Sequence, residues 1–122
     1  MINLETLHNI CIIWSLIGVG SFILLQFVKA PYGRHIRKGW GPEIPNYIGW
    51  ILMELPSFLI IFYFYYFYTQ STYAAMLSLL WLLHYFNRTF IYPFRIRTKK
   101  KKMPITIVLS AIGFNFMNAG LN

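Results

Sequence analysis

Glu54 and Arg88 stand out in this chain because each is ionisable and each lies inside a long apolar run. A charged side chain at the centre of a membrane helix costs about 2.5–3.5 kcal/mol on insertion scales, so one that is retained there faces a cavity or a partner. His84, Tyr85, Asn87, Thr89 and Tyr92 crowd the same run as Arg88. Tyr85, Arg88, Thr89 and Tyr92 recur at spacings of three, four and seven, which predicts one polar stripe along a helix. A carboxyl group kept neutral by apolar surroundings, beside a Tyr hydroxyl, is a donor pair able to polarise a carbonyl. The chemistry that such a pair suits is polarisation of an enone. The plainer alternative is a buried ion pair that joins two helices.

Other chemistries find little support in the sequence. Cys11 is the one cysteine and lies in an apolar run, so it forms no intrachain disulfide and reads as a packing residue. His84 has no second histidine at metal-ligand spacing, and no metal is expected. Asn87-Arg88-Thr89 matches a glycosylation sequon, but inside a membrane span it is out of reach. Gly18 and Gly20 lie in an apolar run with no strand before them, so they do not make a dinucleotide fingerprint. The net charge of +8 would suggest nucleic acid in a soluble chain, yet here the basic residues are gathered between apolar runs, and nucleic acid is not an expected partner.

The elements that must position these groups follow from composition. Of the 122 residues, 57% are hydrophobic and only 11% charged, against about 25% charged in ordinary globular chains. Four apolar runs cover residues 7–28, 47–68, 73–94 and 105–121. A span needs roughly 20 apolar residues, so the first three read as full spans and the fourth as a partial one. The first run is preceded by Glu5 rather than a basic segment, which argues against a cleaved signal peptide. Pro56 is expected to loosen or kink the second helix near Glu54. The aromatic crowd from Phe62 to Tyr68 reads as an interfacial belt.

The loops between runs carry four, zero and six Lys and Arg residues in turn, which places both basic loops in the cytoplasm and the turn around 69–72 on the far side. That placement explains the Lys99–Lys102 run without a bound anionic lipid or phosphate. With a rise of about 1.5 Å per residue, Glu54 lies about 10 Å from the cytoplasmic face, Tyr85 about 13 Å and Arg88 about 9 Å. All three are expected in one layer.

Four segments resemble the steroid 5-alpha-reductase family: Ala30–His35 (APYGRH), Gly49–Phe58 (GWILMELPSF), His84–Tyr92 (HYFNRTFIY) and Asn118–Asn122 (NAGLN). The resemblance covers nearly the whole chain and about the first half of the family's usual length. It implies an all-α, seven-span membrane bundle, of which this chain would hold three spans and part of a fourth, with the C-terminal part that grips most of the cofactor absent. It implies NADPH-dependent reduction of the C=C bond of a 3-oxo-4-ene steroid. Glu54 and Tyr85 match the residues that polarise the ketone, while Trp50, Met53 and Phe114 match the surroundings of the apolar substrate. Arg88, Tyr32, Tyr92 and Arg97 match cofactor-side positions. Met53 stands where many members have Gln, and Asn87 where many have His.

The expected location is the endoplasmic reticulum in a eukaryote or the inner membrane in a bacterium. Within enzymes, the competing substrates are an enoyl thioester or a polyprenol. Outside enzymes, the competing role is a small membrane scaffold in which Glu54 and Arg88 only pair. The fourth run stops at Asn122 near the lower length limit for a span, so the chain is expected to be an incomplete version that is inactive alone.

Overall fold

The computed structural model describes residues 3–28, 39–69, 71–98 and 100–121. They are mostly helical. Helix α1 (Leu4–Phe27) begins where the Asn3 side chain accepts a hydrogen bond from the Thr6 amide at 2.7 Å, satisfying one free donor of the first turn. It forms a unit of its own and buries none of its residues. The second unit contains β1 (Glu43–Pro45), α2 (Asn46–Tyr68), α3 (Thr72–Phe86), a π-helical turn (Asn87–Ile91), α4 (Tyr92–Arg95), β2 (Lys102–Pro104) and α5 (Ile105–Leu121). Helices α1 and α2 are long and apolar enough to cross a membrane, whereas α5 is apolar but shorter.

Helix α2 is the centre of the second unit, with α5 on one side and α3 on the other. Gly49, Met53 and Ser57, four residues apart and therefore on one face, are buried against α5. A Cβ at Gly49 would overlap the Met103 thioether and press on Val108 Cγ2 at 3.2 Å, so only glycine allows this approach. Met53, Met103 and Val108 form the apolar cluster at that end, and Ile61, Leu82 and Ala119 form a second cluster farther along. The adjoining face of α2, Trp50, Glu54 and Phe58, meets α3 and the π turn: Phe58 lies 6.2 Å from Phe86 and 5.4 Å from Phe90, ring centre to ring centre. Helix α2 continues through Pro56, whose missing N–H leaves the Leu52 carbonyl without its usual intrahelical donor.

Two features depart from the all-α expectation of four plain helices. The first is a two-stranded antiparallel ribbon in which Glu43, Ile44 and Pro45 pair with Pro104, Met103 and Lys102. Each strand ends in a proline that leads directly into a helix, and a residue before proline is driven to extended backbone, here Ile44 and Met103. The ribbon is extended by Asn46 N–H to Lys101 O and Ile105 N–H to Pro42 O, both 2.8 Å. Gly41, with φ +92°, turns the chain into it. The segments before α2 and before α5 are thus tied together at one end of the unit.

The second departure is the π turn, which interrupts the third apolar run. Pro93 has no N–H, and in a regular α-helix its ring would meet the carbonyl of Thr89. The Tyr92 amide instead bonds Asn87 O, five residues back, and Pro93 falls in the first turn of α4. The widened turn absorbs the missing donor.

Candidate functional site

Glu54 and Arg88 meet, as their shared layer implies. Arg88 Nη2 donates to Glu54 Oε1 at 2.5 Å, a charge-assisted bond between α2 and the π turn. The Glu54 side chain is 6% exposed and that of Arg88 36%, so the carboxylate is enclosed and the guanidinium reaches the surface of the unit. Trp50, one turn before Glu54, completes the group: its ring lies 5.2 Å below Arg88 Cζ in a cation–π contact and meets Tyr92 edge-on at 5.0 Å. Tyr85 stacks on Trp81 at 5.2 Å with His84 against its edge, and both Tyr85 and Tyr92 lie within electrostatic reach of the guanidinium.

The polar stripe expected on the third run is altered by the π turn. Seven residues in an α-helix return to nearly the same face, but a widened turn rotates the residues after it by about one position, near 100°. Tyr92, after the turn, is exposed against Trp50, whereas Thr89 within it is fully buried and Tyr85 and Arg88 are half-buried. The structure therefore brings together Glu54, Arg88, Trp50 and Tyr92, with Tyr85 one turn away beside Trp81.

The remaining expected residues are dispersed. Met53 is enclosed between α2 and α5 in the cluster with Met103 and Val108. Phe114 lies on α5, 52% exposed. Arg97 is exposed in the turn that leads toward the ribbon. Tyr32 lies outside the described residues.

Several buried polar groups escaped the reading of the sequence. Asn115 on α5 donates its side-chain amide to Met53 O at 2.6 Å, and Ser57 Oγ donates to Asn115 O at 3.3 Å. Asn46 is fully buried and donates to Thr98 O at 3.1 Å and Thr98 Oγ1 at 2.8 Å, fastening the start of α2 to the chain after α4. The available signal was a polar residue within each apolar run, at positions 57 and 115.

Chemically, the group offers one enclosed carboxylate and a guanidinium with donors to spare beside two aromatic rings. An arginine carries five N–H donors. With one bonded to Glu54, the rest can serve an anionic or amide ligand at the exposed side.

No family model matches the chain. It is 37% identical over 124 residues to a steroid 5-alpha-reductase of Gossypium hirsutum, covering 96% of this chain and 48% of that protein. It is 36% identical over 123 residues to a steroid 5-alpha-reductase of Arabidopsis thaliana, covering 93% of this chain and 47% of that one. A 3-oxo-5-alpha-steroid 4-dehydrogenase 1 of Rattus norvegicus is 28% identical over 126 residues, 95% of this chain and 49% of its own length. The chain spans about half the length of these curated relatives.

Proposed function

The chain is a homologue of the steroid 5-alpha-reductases, oxidoreductases acting on CH–CH groups, and we propose that it forms the substrate-side part of such an enzyme, which reduces the C=C bond of a 3-oxo-4-ene steroid with NADPH. The observation that carries this reading is 37% identity along 96% of the chain, which includes the segments holding Glu54, Tyr85 and Arg88. Its setting is the lipid bilayer, where α1, α2 and the broken third helix each cross the membrane and α5 enters it as a partial fourth span. Both basic loops face the cytoplasm, in the endoplasmic reticulum or a bacterial inner membrane.

In this reading Glu54 and Tyr85 donate to the ketone oxygen, drawing electron density from the conjugated double bond. NADPH, when bound, supplies the hydride that the β-carbon accepts, and a proton from water at the α-carbon completes the saturated ketone. Glu54 accepts from Arg88 in the pair described above, so the reading requires the guanidinium to turn toward an anionic ligand and free the carboxyl group to hold a proton. The spare donors of Arg88, its 36% exposure and the neighbouring Tyr92 fit one end of a dinucleotide. Tyr32 and Arg97 are assigned to its remaining contacts on this chain. Trp50 flanks the steroid next to the pair, Phe114 offers an apolar ring from α5, and Met53 shapes the site from behind through its place between α2 and α5.

The test is turnover of a 3-oxo-4-ene steroid by this chain combined with the second half of the Gossypium hirsutum relative. Glu54→Gln and Tyr85→Phe should each lower kcat by about 10²-fold or more, as the loss of a preorganised donor does. Normal kcat in both variants would remove them from the mechanism. The observed ion pair also favours a second reading, a scaffold in which Glu54 and Arg88 only clamp two helices. Under it, the assembled wild-type protein would show no steroid-dependent NADPH oxidation.

A further inference from the structure

Buried hydrogen bonds between α2 and α5 converge on the turn of α2 that carries Glu54. Asn115, 8% exposed, donates to the Met53 carbonyl, and Ser57, fully buried, donates back to the Asn115 carbonyl. Met53 immediately precedes Glu54, and Ser57 follows it by three residues. Between them stands Pro56, which deprives the Leu52 carbonyl of its helical donor. The turn that presents the carboxylate thus lacks one rung of its own ladder and receives one bond from outside.

The geometry makes this bond matter for Glu54 in particular. Met53 and Ser57 face α5, while Glu54 projects about 100° farther round the helix, toward Arg88. A carboxylate roughly 6 Å from the helix axis moves about 2 Å when the helix turns by about 20°. Hydrogen bonds occupy a window of only about 0.5 Å, so that rotation would break the contact with Arg88. Gly49 holds α2 against Met103 at the ribbon end, one turn before Met53. Asn115 supplies the second point needed to fix rotation.

We propose that Asn115, supported by Ser57, is a positioning residue that sets the rotation of the Met53–Ser57 turn and so fixes where the Glu54 carboxyl group stands, which in this structure is at Arg88. The catalytic consequence rests on the role assigned to Glu54 above, whereas the structural coupling does not. The hydrogen bonds of Asn115 run to the backbone of Met53 and to Ser57, not to the side chains of the pair.

The experiment reads the pair directly, without turnover. The full chain is purified in detergent with 15N-labelled arginine, and the Nε–H resonance of Arg88 is assigned by its loss in Arg88→Lys. Glu54→Gln gives the position of this resonance without a carboxylate partner. Asn115→Leu, which removes the amide and keeps the volume, should shift the resonance toward that position, and Asn115→Gln should return it toward wild type. Ser57→Ala, a milder change, should shift it in the same direction by less, and keeps the test valid if Asn115→Leu fails to fold. An unmoved resonance in folded Asn115→Leu, or in Ser57→Ala where Asn115→Leu does not fold, would overturn the proposal. A shifted resonance without steroid turnover in the assembled protein would leave the positioning role standing and refute the catalytic role of Glu54.

Discussion

Replacing Arg88 by Met should strand an enclosed carboxylate, and the structure sets the size of the effect. Breaking a fully buried ion pair by removing one partner costs about 3–5 kcal/mol, while an exposed pair contributes about 0–1 kcal/mol. Glu54 is 6% exposed but Arg88 36%, so the pair lies between these limits and about 2 kcal/mol is expected. Loss of the cation–π contact with Trp50, at 5.2 Å, adds about 0.5–1 kcal/mol. The sum of about 3 kcal/mol corresponds to roughly a hundredfold fall in the folded-to-unfolded ratio. Adding Glu54→Gln removes the stranded charge and should recover all but about 1 kcal/mol. Equilibrium unfolding in mixed micelles, followed by tryptophan fluorescence, measures Arg88→Met, Glu54→Gln and the double variant. If the double variant is as unstable as the sum of the two singles, the residues do not act as a pair and this reasoning fails.

Gly49→Ala should destabilise the α2–α5 contact by about 1–3 kcal/mol through overpacking, and Met103→Ala in the same chain should return part of that loss in the same unfolding assay. Single cysteines at positions 40 and 100, at the paired end of the unit, should react with an impermeant maleimide from one side of oriented membranes, and a cysteine at position 72 from the other; labelling of 40 and 100 from opposite sides would contradict the topology. The chain alone should show no steroid-dependent NADPH oxidation, because hydride transfer needs the reacting atoms held about 3–3.5 Å apart and the cofactor contacts proposed here grip only one end of a dinucleotide. Glu54-dependent turnover by the lone chain would show that these residues suffice.

The main helices were legible because membrane-like apolar runs end abruptly at Pro, Gly and basic residues. The expected run 47–68 became α2 (Asn46–Tyr68), and the run from 105 became α5 (Ile105–Leu121). The meeting of Glu54 and Arg88 was legible too, since a constant rise per residue places two antiparallel positions in one layer. The π turn was not, because periodicity assumes an unbroken α-helix, although Pro93 marked where that assumption fails. The ribbon joins residues 43–45 to residues 102–104, a pairing that no local pattern encodes, although each strand carries the same proline at its helix start. The bonds between Asn115 and α2 were hidden for a related reason: a single Asn or Ser in an apolar run announces a partner without naming it.

The central claim, that this chain takes part in reducing a conjugated steroid, is tested most directly by following the transferred hydrogen. The chain and the second half of the Gossypium hirsutum relative are combined in membranes with NADPH carrying deuterium at the transferable position and a 3-oxo-4-ene steroid. Mass spectrometry of the steroid should find a saturated product containing one deuterium, formed with the wild-type chain and reduced about 10²-fold with Glu54→Gln. Equal product from the second half without this chain, or no deuterated product from the wild-type combination, would contradict the account.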